Sequence, residues 1–263
     1  MTLFHAVSAE LRKAATLPAV WAGAAVAILG SLGITLLNAV TARSAIAAGR
    51  ADELLASTSA FETGYAAAPL GTVGAVVIGV VLISSEYTAN SPDAGGGRQL
   101  TTTLTVIPRR LTVLTAKAVA VVAVVAVAAL VALPACLVLA RAVIGDAGHE
   151  TVSAQEALWR WLGACLYWTL TGLLAFAIAV LTRSGVVPLI VLIVNSSLVS
   201  VSLLLTNITP LAHWLPDMAG RRLFGGVDTI DGGLDTLPGA LVMAAWTVGL
   251  LAVAGAAFTR RDA

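Results

Sequence analysis

Charged residues are scarce in this sequence of 263 residues: they make up 11% of it, whereas hydrophobic residues make up 59%. An average soluble domain is about 25% charged and about 45–50% apolar. A water-soluble fold of this size could not hide so much apolar surface in one core, which argues against a soluble enzyme. A disordered chain is ruled out, because disorder requires low hydrophobicity and a high net charge. The composition predicts an integral membrane protein.

Several chemical signatures are also absent from the sequence. The net charge of +1 provides no general attraction for nucleic acid. The only two cysteines, Cys136 and Cys165, lie in apolar runs, so a disulfide framework is excluded. There is no G-x-x-x-x-G-K-[ST] motif for ATP, and no His/Cys/Asp/Glu cluster has metal-ligand spacing. We therefore predict that the chain is not an enzyme and holds no metal or cofactor of its own.

Six apolar stretches are long enough to cross a bilayer as helices, which takes about 20 residues for a hydrocarbon core of about 30 Å. They lie at residues 18–40, 66–85, 118–140, 162–181, 186–206 and 238–258. None contains an Asp, Glu, Lys, Arg or His residue, the side chains that mark proton relays and ion paths within membranes. The prediction is an all-α membrane protein, with one transmembrane domain of six spans over residues 1–263.

The distribution of lysine and arginine predicts the orientation of these spans. With the N-terminus inside, the inner segments hold nine of the 15 Lys and Arg residues and the outer segments hold six. Because cytoplasmic segments carry the excess of positive charge, both termini should be cytoplasmic.

An amphipathic pattern precedes the first span. Leu3, Phe4, Val7 and Leu11 recur at helical spacing, and polar or charged residues occupy most of the positions between them. The pattern predicts a helix that lies in the inner membrane interface. The alternative is a simple positively charged anchor.

The inner segment between spans two and three, residues 86–117, is the second informative region. It carries four of the nine inside cations: Arg98, Arg109, Arg110 and Lys117. A partly structured loop of this kind can be pushed by a soluble partner. A flexible basic loop that serves only topology is the alternative.

Polar residues in the fifth span form a stripe within an otherwise apolar helix. At a helical period, positions 195, 202 and 206 share one face, which must contact protein, water or a substrate. Helix–helix packing is the alternative interpretation. The candidate substrate-path residues are Asn38, Asn195, Ser196, Ser202 and Thr206. Such a path offers hydroxyls and apolar walls but no fixed charge.

Small residues in the second span predict close helix packing. Gly71, Ala75 and Gly79 recur every four residues, a spacing that lets two helix backbones approach. We interpret this stripe as packing rather than as a cofactor site.

The long outer segment before the last span has an apolar face of its own. Leu211, Trp214, Leu215 and Met218 supply that face, which predicts a short amphipathic helix at the outer leaflet. In a transport protein, such a helix would act as an outer gate that closes the exit of the substrate path from above. An ordinary surface loop is the alternative.

The ordered set of these features resembles the permeases of type-2 ABC exporters, in particular the small six-span subunits of high-GC Gram-positive bacteria. The order is a helix containing E-L-R-K, a span ending in S-E-Y-T, an inner loop with T-x-x-P-R-R, and A-K-A entering span three. The resemblance covers essentially the whole chain, although no single motif in it is decisive.

The resemblance implies a coupling region that docks on a separate ATP-binding subunit. The N-terminal helix would be the connecting helix and the inner loop would carry the coupling helix. The matching residues are Glu10, Arg12, Lys13, Glu86, Tyr87, Thr102, Thr103, Leu104, Pro108, Arg109, Arg110 and Lys117. Residues 91–97 interrupt the family pattern, which leaves the start of the coupling helix open. The partner would bind ATP and Mg, and two permease copies would pair, with a homodimer favoured over a heterodimer.

The expected function is therefore export of an amphipathic or lipid-like compound, drug or peptide across the cytoplasmic membrane of a bacterium, by alternating access. The outer segment would dip back into the membrane as re-entrant helices. A secondary transporter or channel acting without an ATPase is the main alternative. A membrane lipid hydrolase and a non-transporting anchor or sensor subunit are two others.

Overall fold

The computed structural model describes residues 2–50, 59–88, 99–106, 109–150, 152–193, 195, 201–225 and 232–260. This part of the chain folds into helices and turns and contains no β-strand. Five helical segments are long and apolar enough to cross a membrane: Pro18–Ala47, Ala60–Tyr87, Arg110–Ala147, Ala154–Thr182 and Thr236–Arg260. They correspond to five of the six predicted spans, and the count of six stays a prediction.

The described residues up to Glu150 include seven α helices. These are α1 (Leu3–Thr16), α2 (Pro18–Ala25), α3 (Ser31–Ala47), α4 (Ala60–Tyr65), α5 (Gly71–Ser84), α6 (Gln99–Val106) and α7 (Arg110–Ile144). A π-helical turn, Val26–Gly30, joins α2 to α3, and 3-10 turns at Ala68–Leu70 and Ser85–Tyr87 flank α5. Pro18 begins α2, at a position where the missing N–H of proline has no helical partner to lose.

The second half begins with a long helix and then breaks into shorter elements. Its helices are α8 (Ala154–Thr182), α9 (Val186–Ile193), α10 (Val201–Thr206), α11 (Pro216–Gly220) and α12 (Thr236–Arg260). The 3-10 turns are Gly145–Ala147, Pro210–Trp214 and Arg221–Phe224. The predicted fifth span corresponds to α9 and α10, and residues 194 and 196–200 between them lie outside the described part.

The α5–α8 contact lies at the centre of the core, and small residues make it possible. A Cβ atom on Gly79 would lie 2.1 Å from the carbonyl oxygen of Gly172, so the two backbones are in contact there. The indole ring of Trp168 covers Gly71 and is fully buried, and its Nε1 donates to the carbonyl of Ala68 at 3.0 Å. The predicted packing role of the small-residue stripe is confirmed.

Large apolar side chains cover the outside of the spanning helices. Exposed examples are Trp21, Leu37, Leu130 and Val248, which belong to α2, α3, α7 and α12. Monomeric soluble proteins rarely expose contiguous apolar surface on this scale. The surface is compatible with a multi-pass membrane protein, as the composition predicts.

An ion-paired group ties α4 to the start of α8. Arg160 donates to Glu62 at 2.6 Å and to Glu156 at 2.6 Å, and the hydroxyl of Tyr65 donates to the Arg160 carbonyl at 2.7 Å. The 29 residues of α8 measure about 44 Å at 1.5 Å per residue, more than a hydrocarbon core of about 30 Å. The charged first turns of α8 therefore have room to project beyond the hydrocarbon.

Candidate functional site: a buried charge cluster and a polar cavity

Four charged side chains meet where α1 packs against α7, and we call them the charge cluster. Glu10 and Lys13 come from α1, Glu86 comes from the turn after α5, and Lys117 comes from α7. Lys117 and Glu86 are 0% exposed and Glu10 is 6% exposed. Two carboxylates and two ammonium groups give a formal net charge of zero. An isolated charge would be very costly to bury at such a depth, whereas pairing and hydrogen bonding within a group of zero net charge offset much of that cost.

The ammonium group of Lys117 is fully hydrogen-bonded. Its Nζ donates to Glu10 Oε2 at 2.7 Å, to Glu86 Oε1 at 2.8 Å and to the carbonyl oxygen of Leu82 at 3.3 Å. A lysine ammonium has three donors, and here each finds an acceptor on a different residue. Lys117 therefore joins α7 to both α1 and the end of α5.

Glu86 extends these connections to α6. Its Oε1 accepts from Lys13 as well as from Lys117, while its Oε2 accepts from the Thr103 hydroxyl at 2.9 Å. Thr103 lies in the middle of α6, the only described helix of the inner segment before α7. One carboxylate thus contacts side chains from three helices, α1, α6 and α7.

The sequence of α1 explains how Glu10 reaches Lys117. Ala6, Glu10 and Ala14 are spaced four residues apart and form the buried face of this helix. Ala6 packs against Val113 and Ala116 of α7. Because alanine is small, the two helix axes can approach closely enough for the glutamate to meet the lysine.

The other residues matched to the coupling region have varied positions. Leu104 is half-buried and packs against the core, and Arg110 donates to the carbonyl of Phe258 at 3.2 Å. Tyr87 is half-buried in the turn after α5. Arg12, Thr102 and Arg109 are exposed. Pro108 lies outside the described residues. Of the twelve residues, the structure brings five into direct contact: Glu10, Lys13, Glu86, Thr103 and Lys117.

A second feature, which we call the polar cavity, lies between α5, α8, α9, α10, α11 and α12. Its volume is about 440 Å³. Most of its wall is apolar, and its polar lining includes Thr171, Asn195, Ser202 and Asp217. Asn195 Nδ2 donates to Asp217 Oδ2 at 2.8 Å, which joins α11 to the polar residues of the predicted fifth span.

The geometry at Asn195 corrects one expectation about the fifth span. The backbone N–H and the hydroxyl of Ser202 both donate to Asn195 Oδ1, each at 3.2 Å. In a regular helix these residues would be about 10.5 Å apart along the axis, too far for such contacts. Ser202 and Thr206 lie four residues apart in α10 and share one of its faces, as predicted, whereas Asn195 lies closer to Ser202 than a regular helix would place it. The contact between Asn195 and Ser202 runs from the side-chain amide oxygen of the first residue to the backbone N–H and the hydroxyl of the second.

Two other candidate substrate-path residues, Asn38 and Thr206, do not line this cavity. Asn38 is half-buried in α3, and Thr206 is half-buried and donates to the Leu203 carbonyl at 2.6 Å. Ser196 lies outside the described residues. Asp217 was not among the predicted path residues, and because it lines the cavity, the expectation of a path without fixed charge does not hold there. Its only sequence signal is the pair Pro216–Asp217, typical of the first turn of a helix.

The outer segment differs from the single short helix that its periodicity predicts. It forms two helical elements, Pro210–Trp214 and Pro216–Gly220, separated by Leu215 in an extended conformation. Pro216 accounts for the break, because a proline disfavours helical backbone at the residue before it. Leu211 and Trp214 are exposed, Met218 is buried, and Leu215 lines the polar cavity.

Glycines on the neighbouring helices hold this segment close to the bundle. A Cβ atom on Gly163 of α8 would lie 2.0 Å from the Leu223 carbonyl oxygen, and one on Gly239 of α12 would lie 2.0 Å from that of Ala219. The segment therefore packs backbone to backbone against α8 and α12, and it forms one wall of the cavity.

Within the described ranges, no group of three or more His, Cys, Asp or Glu side chains could hold a metal ion. No protein-family model matches the chain, and no curated protein matches it.

Proposed function

We propose that this chain is the membrane permease subunit of an ATP-driven exporter of the type-2 ABC kind, and that it works with a separate ATPase subunit. The observation that carries the proposal is the charge cluster. It joins α1, the end of the second span, α6 and the third span through Glu10, Glu86, Thr103 and Lys117. These are the elements that a coupling mechanism has to move together.

The cluster is suited to transmitting a displacement because it is buried and fully paired. Removing one partner from a buried ion pair typically costs about 3–5 kcal/mol, because the other charge is left buried and unpaired. Separating the joined helices would therefore be energetically unfavourable. A force applied to α6 would reach Glu86 through Thr103 and then reach α7 through Lys117. The second and third spans would then move as one unit.

Exposed residues beside the cluster supply a surface for the partner. Arg12, Thr102 and Arg109 are exposed on α1, on α6 and at the start of α7. The partner would hold ATP and Mg, and closure of its nucleotide sites would push on this surface. A second copy of this chain would complete the transport path, and an amphipathic compound would leave the cell as the two copies change access.

The proposal is tested by purifying the tagged protein from its own membranes in mild detergent. We expect a P-loop ATPase, identified by mass spectrometry and by ATP hydrolysis, to accompany the wild type. Arg109→Glu should lose most of that ATPase, because it reverses an exposed charge on the docking surface. Arg141→Glu is the matched control: it reverses an exposed arginine at the other end of α7 and should retain the partner.

The main alternative, a secondary transporter or channel, predicts a different result. Folded wild type would then purify without an ATPase and would mediate transport in vesicles that lack ATP. Loss of the ATPase from both arginine variants would also contradict the proposal, because it would show no preference for the surface beside the charge cluster.

A further inference from the structure

We propose that the polar cavity binds an organic cation with an apolar body. As a statement about cargo, this inference rests on the proposed exporter function, since it narrows the transported compound to a chemical class. As a statement about binding, it stands on the cavity alone and can be tested without an ATPase.

The cavity has the size and wall composition of a small-molecule site. Its volume of 440 Å³ falls in the range of about 300–1,000 Å³ that is typical of ligand pockets. Leu174, Ile190, Leu192 and Met243 supply apolar surface from α8, α9 and α12. Pockets of this kind bury the apolar body of a ligand and use a few polar groups to orient it.

The carboxylate of Asp217 gives this cavity a negative charge. Its Oδ2 accepts from Asn195, a neutral amide, so that hydrogen bond leaves the negative charge in place. Within the described residues, Asp217 forms no ion pair within 4 Å. Arg221, four residues further on, is near enough for its charge to act with that of Asp217 on the hydroxyl of Tyr167, but Arg221 does not line the cavity. A carboxylate against apolar walls is stabilised by a nearby positive charge, because the local dielectric is low.

A second polar group in the cavity also lacks a partner. The hydroxyl of Thr171 is buried, with 8% of the residue exposed, and it has no hydrogen-bond partner within the described part of the chain. Thr171 lines the same cavity as Asp217. Buried polar atoms are nearly always satisfied, so an unpaired hydroxyl in a cavity points to a bound group that completes it.

The charge of the cavity discriminates between classes of ligand. An anionic compound, such as a lipid phosphate, would meet the Asp217 carboxylate and be repelled. A cation gains the attraction of that carboxylate in addition to the apolar contacts, which a neutral compound of the same shape lacks.

Binding can be measured on the purified protein in detergent, with no nucleotide and no partner, after subtraction of uptake by empty micelles. The probes are tetraphenylphosphonium and tetraphenylborate, which share four phenyl groups and differ in the sign of their charge. We expect saturable binding of the phosphonium ion and no saturable binding of the borate. Asp217→Asn should weaken phosphonium binding by about tenfold or more, the size of effect expected for loss of one close charge pair.

Two further variants make the result specific. Asp235→Asn removes a carboxylate that is 84% exposed and paired with Arg222 outside the cavity, and it should bind the phosphonium ion as the wild type does. Asp217→Glu keeps the charge and should retain binding within about threefold, which is under 1 kcal/mol by the usual conversion. If Asp217→Asn folds poorly, the comparison of the two probes on the wild type still decides whether binding depends on positive charge.

Equal binding of the phosphonium ion and the borate, or equal binding by Asp217→Asn and the wild type, would overturn the inference. The two proposals fail separately. Saturable phosphonium binding by a protein that purifies without an ATPase would refute the exporter function and leave the cavity assignment in place. An associated ATPase with no saturable phosphonium binding would refute the cavity assignment and leave the exporter function in place.

Discussion

Replacing Lys117 with methionine tests the charge cluster most directly. Methionine keeps much of the aliphatic length of lysine but removes the charge and all three donated hydrogen bonds. Glu10 and Glu86 would then share the buried region with Lys13 as the only cation, and the formal charge of the cluster would change from zero to −1. Breaking a buried pair in this way should cost about 3–5 kcal/mol of folding free energy.

The assay is reversible unfolding in mixed micelles, followed by circular dichroism or by tryptophan fluorescence. A cost of about 3 kcal/mol changes the unfolding equilibrium more than a hundredfold, since about 1.4 kcal/mol is tenfold. Arg12→Met is the control, because Arg12 lies one residue from Lys13 on the same helix and is exposed. A surface change of this kind should stay within about 0.5 kcal/mol.

A double variant separates lost attraction from a general loss of packing. Adding Glu10→Gln to Lys117→Met restores a formal charge of zero, so it should recover at least about 1 kcal/mol of the loss. If Lys117→Met costs no more than Arg12→Met, or if the double variant is less stable than the sum of the two single changes, the reasoning about a paired buried cluster is wrong.

Three other predictions follow from the same structure. Gly79→Ala would place a Cβ atom 2.1 Å from a facing carbonyl oxygen, and it should cost about 1–3 kcal/mol in unfolding experiments, whereas Gly33→Ala has open space and should be neutral or stabilising by up to about 1 kcal/mol. Arg160→Met should cost about 1.5–3 kcal/mol, while Arg222→Met, in an exposed pair, should cost about 0–1 kcal/mol. Thr103→Val should release α6 from the cluster and increase the hydrogen-exchange rates of its amides.

Each of these predictions has a clear contradicting result. Equal stability of the two glycine variants would mean that α5 and α8 do not touch at Gly79. Equal costs for Arg160→Met and Arg222→Met would mean that burial does not strengthen the pairs of Arg160. For α6, Thr105→Val is the control, since Thr105 is exposed and donates only to a carbonyl of its own helix. Equal exchange rates in the two threonine variants would show that the contact with Glu86 does not hold α6.

Much of the fold could be predicted because it depends on local properties of the sequence. A span is recognisable from about 20 consecutive apolar residues, since every backbone group in lipid must be satisfied within its own helix. The small-residue stripe of α5 was also predictable from local sequence, because Gly71 and Gly79 are spaced so that they lie on one face of one helix. The internal geometry of the predicted fifth span could not be predicted in this way, since hydropathy does not reveal that Asn195 accepts a hydrogen bond from Ser202.

The residues of the candidate site could be predicted, but their burial and their mutual contacts could not. The resemblance to exporter permeases selected twelve residues, and nothing in their spacing distinguishes Lys117, which is fully buried, from Arg109, which is exposed. That difference arises from the approach of α1 to α7 across Ala6, which brings Glu10 within 2.7 Å of a residue 107 positions away.

The amino-acid sequence by itself determined that this chain is apolar, helical and suited to a membrane, because hydropathy and helical period are properties of neighbouring residues. Only the tertiary structure decided which charges are paired and which line a cavity. Asp217 and Asn195 are 22 residues apart and belong to different elements, yet their side chains lie 2.8 Å from each other. Contacts of this kind depend on how whole helices pack, and no local pattern in the sequence encodes them.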